Sequence, residues 1–110
     1  MVFEVLEYVT ADGFSPFRAW FRGVDPVHRS RVAAALRRLA AGNPGDRHGV
    51  GRGVMEIRIH FGPGYRIYFG QDGQDLVILL AGGIKRRQSQ DIAMAQDRWD
   101  DYRRRKHMGC

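Results

Sequence analysis

The chain has 110 residues, enough for one domain with its own core and too few for two, so residues 1–110 are expected to fold as a single unit. Lys and Arg number 18 against 12 Asp and Glu, a net charge of +6, which suits a polyanionic partner better than an acidic surface would. No apolar run approaches the roughly 20 residues that span a bilayer and no signal-peptide pattern opens the chain, so membrane attachment and secretion are not expected and the cytoplasm is the default compartment.

In chain order, Val2 to Val9 (VFEVLEYV) is rich in β-branched and aromatic residues and reads as a first strand, with Glu4 and Glu7 on opposite faces as an edge strand permits. Thr10 to Gly13 is its exit. Ser15-Pro16 then opens a helix, Ser at the N-cap and Pro at the first helical position, and Phe17, Trp20 and Phe21 form its apolar stripe. Asp25-Pro26 repeats that start for a second helix running to about Ala41, with Val32, Ala35, Leu36 and Leu39 facing inward. Gly42-Asn43-Pro44-Gly45 stops it. The two helices form a hairpin expected to cover one face of a sheet and leave the other open.

Met55 to Phe61 alternates apolar Met55, Ile57, Ile59 and Phe61 with Glu56, Arg58 and His60, the period-2 pattern of a strand with one buried face. Gly62-Pro63-Gly64 reverses the chain. Tyr65 to Phe69 alternates again, so Arg58, His60, Arg66 and Tyr68 are expected to share the open surface. Gln71-Asp72-Gly73-Gln74 carries the Asp-Gly pair of a tight hairpin, and the continuously apolar Leu76 to Ala81 reads as an interior strand covered on both faces. Ser89 is placed to cap a last helix with Ile92, Ala95, Trp99 and Tyr102 on one stripe, ending in the cationic run Arg103-Arg104-Arg105-Lys106. The expected fold is therefore α+β: a mostly antiparallel four-stranded sheet, an N-terminal helical hairpin on one face and a C-terminal helix.

Sixteen of the 18 cations are Arg, whose planar fork matches phosphate, although Arg-rich codon usage would give the same bias. The four histidines show no paired metal-ligand spacing and Cys110 stands alone at the terminus, so neither a metal site nor an internal disulfide is expected, and no cofactor motif occurs.

The order of these elements, together with GNPGDRHGVGRGVMEIRI, GPGYRIYF and LLAGGIKRRQSQDIAMA, resembles the RelE/ParE toxin superfamily, and within it the addiction module killer proteins of the HigB-like group. The resemblance spans nearly the whole chain; the chain departs from the pattern at Ile84, before Lys85, and at Arg86-Arg87, between Lys85 and Gln88. It implies the toxin of a type II toxin–antitoxin module, with a small helix-turn-helix antitoxin encoded next door that neutralises it and represses the operon with it. On this fold occur both ribosome-dependent mRNA endoribonucleases and gyrase poisons; a non-catalytic antitoxin-binding module is a third alternative. For the nuclease, mRNA and the ribosome are the partners, and no metal is needed: the 2′-OH attacks the adjacent phosphate, which calls for a base, an acid and cations for the phosphorane. The expected assignment gives Arg58 and Arg66 to the scissile phosphate, Lys85 to phosphate positioning or proton transfer, and Tyr68 to base stacking or proton transfer. Alternation, not the family, suggests His60 as general base; the competing reading is an exposed histidine with no role. Arg58 could equally be paired with Glu56 or Asp91 for structure alone. Arg86, Arg87, Arg103, Arg104 and Arg105 are the candidate RNA-binding cations.

Overall fold

The computed structural model describes residues 2–108, and Cys110 lies outside them. The architecture is α+β, with three helices on a five-stranded, mostly antiparallel sheet in the order β1-β5-β4-β3-β2. The strands are β1 (Glu4–Glu7), β2 (Arg47–Gly49), β3 (Val54–Ile59), β4 (Tyr65–Asp72) and β5 (Leu76–Ile84). Among the described residues, the β1–β5 pair alone is parallel.

The expected four strands become five because Arg47–Gly49 pairs antiparallel with Met55 to Ile57. Arg-His-Gly has neither alternation nor β-branching, so its strand character comes from the partner it meets and not from its own residues. The β3–β4 and β4–β5 hairpins stand where the turn residues place them, and β5 lies inside the sheet between β1 and β4.

Helix α1 (Pro16–Gly23) starts as its sequence dictates: the Ser15 Oγ accepts the Arg18 backbone N–H at 3.2 Å. Helix α2 (Arg29–Ala40) starts later than Asp25-Pro26 suggests. Asp25 instead closes a turn, its side chain accepting from the Val27 N–H and its carbonyl from the His28 and Arg29 N–H groups. The hairpin buries Phe17, Val24, Val32, Ala35 and Leu39 against Ile57, Ile67, Phe69, Val77 and Leu79.

The second sheet face is not open. A 3-10 turn at Lys85–Arg87 leads directly into α3 (Gln88–Met108), so Ser89 lies inside the helix and is not its cap. α3 lays Ala95 and Trp99 on Val54, Tyr68, Ile78, Leu80 and Ala81. Two glycines admit it. A Cβ at Gly70 would stand 2.5 Å from the Trp99 ring, and one at Gly83 would stand 1.9 Å from Asp91 Oδ2. Trp99 also stacks on Tyr102, ring centroids 5.2 Å apart.

Candidate functional site

The register gathers the chemistry at one end of the sheet. Arg58 pairs with Arg66, Arg66 with Gly83 and Tyr65 with Ile84, so the last residues of β3, the first of β4 and the last of β5 stand side by side. His60 follows β3, Lys85 follows β5 with its N–H donating to the Gly64 carbonyl at 2.8 Å, and α3 begins there.

Glu56 is the centre of this end. Its carboxylate has no solvent exposure and accepts from Arg58 Nε at 2.8 Å and from Gln88 Nε2 at 2.7 Å, with Arg66 Nη1 at 3.9 Å. Burial pushes its carboxyl upward, but the Arg58 and Gln88 hydrogen bonds and the Arg66 charge hold it, on balance, below its ordinary value. Arg66 shares the α3 side of the sheet with Arg58, as alternation requires, but only 6% of its surface is exposed and its Nε has no hydrogen-bond partner among the described residues. The expectation of an open-face Arg66 is thereby corrected: α3 and the strands on either side enclose it. Tyr68 is corrected likewise. Its ring is wholly buried under α3, so it presents no stacking surface to a base, and burial followed by the Glu56 charge raises its hydroxyl pKa. Asp91 completes the buried polar layer above Gly83; burial raises its pKa, against the pull of Arg87 and Arg98.

The accessible chemistry lies at the β2–β3 edge. His60, with 74% of its side chain exposed, reaches Asp46 Oδ2 through Nε2 at 2.5 Å, and His48 Nε2 reaches Asp46 Oδ1 at 2.6 Å. A carboxylate can only accept, so both Nε2 atoms carry the proton and Nδ1 is the bare nitrogen of each neutral ring. The His60 hydrogen bond first, then that of His48, holds Asp46 below the usual carboxylate range. The Asp46 carbonyl accepts the Arg58 backbone N–H at 3.0 Å, tying this carboxylate to the strand that carries Arg58, whose side chain is 34% exposed.

Arg58, His60, Arg66 and Lys85 thus lie at or just beyond one end of the sheet, with Tyr68 further in opposite Glu56, and of these Arg58, His60 and Lys85 reach solvent. Arg86 and Arg87 are exposed beside Lys85, with Arg87 donating to Gln90. Arg103, Arg104 and Arg105 lie roughly 25 Å away along α3 by helix rise. They are paired with Asp100 and Asp101, and Arg105 also donates to the Val9 carbonyl. The pairing of Arg58 with Glu56 is the one the sequence offers, at i and i+2 of one strand face, whereas Asp46, His48 and the Gln88 contact to Glu56 escape sequence reasoning. Among the described residues, no group of three or more His, Cys, Asp and Glu side chains is arranged to hold a metal ion. No described helix is long and apolar enough to cross a membrane.

A family model described as "Phage derived protein Gp49-like (DUF891)" matches residues 19–100. The chain belongs to the Gp49-like family. The matched stretch runs from α1 into α3 and contains the whole polar sheet end, from Asp46 to Asp91. A Gp49-like chain of this kind is similar to a Haemophilus influenzae protein named "Uncharacterized protein", 43% identical over 81 residues, which covers 73% of this chain and 82% of that relative.

Proposed function

We propose that this Gp49-like protein is the toxin of a type II toxin–antitoxin module, a ribosome-dependent mRNA endoribonuclease of the RelE/HigB-like kind, neutralised by a cognate antitoxin. Membership of a RelE-toxin-like family supports the toxin role. The observation that carries the nuclease reading is the Asp46–His60 pair beside Arg58: an exposed imidazole with its tautomer assigned by a carboxylate, next to a partly exposed guanidinium.

In the proposed reaction His60 Nδ1 takes the proton of a ribose 2′-OH, whose oxygen attacks the adjacent phosphorus. Arg58 donates to the phosphorane oxygens as they gain charge. The P–O5′ bond breaks, and the Lys85 ammonium supplies the proton that the departing O5′ requires. The products are a 2′,3′-cyclic phosphate and a 5′-hydroxyl. Asp46 holds the ring and stabilises the imidazolium that forms, as a carboxylate behind a catalytic histidine does. Buried Arg66 and Glu56 set the direction of Arg58 without touching RNA, a change from the contact expected of Arg66 on sequence alone.

Induction of the free protein is expected to arrest growth, and co-expression of an adjacently encoded helix-turn-helix protein to relieve it. A soluble, folded product with no effect on growth would leave a non-catalytic binding module as the better reading. Intact messages with gyrase-linked DNA breaks would favour the gyrase-poison alternative.

A further inference from the structure

The other face of the sheet, the one covered by the helical hairpin, carries a second basic surface that the proposed cleavage step does not use. Between Asp25 and Asp46 the sequence has no acidic residue, while α2 alone carries Arg29, Arg31, Arg37 and Arg38. Arg29 is engaged with the Arg22 and Val24 carbonyls. The other three are exposed, and none has a carboxylate partner among the described residues. At 100° per residue Arg31 and Arg38 fall one above the other on the outer face, about 10 Å apart along the axis, with Arg37 across a floor of Ser30 and Ala34. Small side chains between cations leave room for a strand of phosphates. Arg47 extends the surface: it pairs with Ile57, whose side chain is in the α2 layer, so Arg47 points to the same face at the sheet edge. The cationic run at the end of α3 is different, because its members are paired with Asp72, Asp100 and Asp101.

We propose that the outer face of α2, through Arg31, Arg37, Arg38 and Arg47, docks on the sugar–phosphate backbone of double-helical RNA. Unpaired bases are a poorer fit, because the face has no free aromatic platform: Phe61, its neighbour, is already covered by the Arg31 guanidinium at 4.3 Å. A membrane or an apolar protein interface is also a poorer fit, because α2 exposes no large hydrophobic side chain. The inference rests on the proposed function only in choosing RNA over DNA. It assigns a docking surface on the hairpin side, so that an RNA scaffold is held by one face while the sheet end cuts.

The test is salt-dependent binding of the full chain to a short blunt RNA duplex, to the DNA duplex of the same sequence and to phosphatidylglycerol vesicles, with no cleavage involved. The R31Q/R37Q/R38Q variant is expected to lose at least about tenfold in RNA affinity, and its log–log salt slope to fall by about 2 to 3, roughly one per lost phosphate contact. The R37Q/R38Q variant leaves the Arg31–Phe61 contact in place and is expected to show about two-thirds of that change in slope. R103Q/R104Q/R105Q removes the same charge from paired arginines and is expected to change the slope by less than about 1. Equal losses in the two triple variants, unaltered binding in the α2 variant, or preference for DNA or vesicles would overturn the proposal. If the protein proves unable to cut RNA while the α2 variant still loses duplex binding, only the nuclease reading falls.

Discussion

Arg66 lies over the buried Glu56 carboxylate, Nη1 3.9 Å from Oε1, so a residue expected to meet substrate is instead half of an internal charge pair. Removing either partner strands a charge away from water. Arg66→Ala and Glu56→Gln are each expected to cost about 3 to 5 kcal/mol, read by chemical denaturation. Retained stability in Arg66→Ala would mean that Arg58 and Gln88 alone satisfy the carboxylate.

The same pair carries a pH signature. Because the folded Glu56 pKa lies below the unfolded one, near 4.5, its contribution is complete above that value and is lost as pH falls through the folded pKa. Asp91 has the opposite sign: its folded pKa is raised, so its penalty is absent below the unfolded value of about 3.8 and grows as pH rises through the folded one. Asp91→Asn is therefore expected to raise the denaturation midpoint near neutral pH and to leave it unchanged in strong acid. A lower midpoint at neutral pH would show that Arg87 and Arg98 outweigh burial.

Trp99 anchors α3. Packed on Gly70 and 4% exposed, it is expected to cost about 3 to 5 kcal/mol as Trp99→Ala. Gly70→Ala attacks the same contact from the sheet side, with an overpacking cost of about 1 to 3 kcal/mol in the same denaturation assay. If Gly70→Ala melts like the parent, α3 has slack against the sheet and does not hold Arg66 tightly enclosed.

Much of this was legible in advance because it is local. Ser15-Pro16, the Phe17–Trp20–Phe21 stripe, the alternation of β3 and β4 and the Gly62–Gly64 and Asp72-Gly73 turns are each encoded within a few residues. The rest of the structure is long-range. β2 exists only because Arg47 to Gly49 meets β3, and Asp46 becomes a partner for His60 only through that pairing. Alternation gave the correct side for Arg66 and Tyr68, but burial depends on where α3 comes to rest, and that in turn depends on glycines opposite Trp99 and Asp91.

His60 and Asp46 carry the account of the reaction, so the most direct measurement is RNA-end mapping in translating cells after induction of the parent, His60→Ala and Asp46→Asn. Both substitutions fall on exposed side chains and are expected to leave the fold within about 0.5 kcal/mol. The parent is expected to leave cyclic-phosphate ends inside coding regions; His60→Ala should lower cleavage by about 100- to 10,000-fold, the range of a lost general base, and Asp46→Asn by a smaller factor. Undiminished cleavage by folded His60→Ala protein would contradict the assignment of His60 as the base, and uncut messages in parent-induced cells would contradict the nuclease itself.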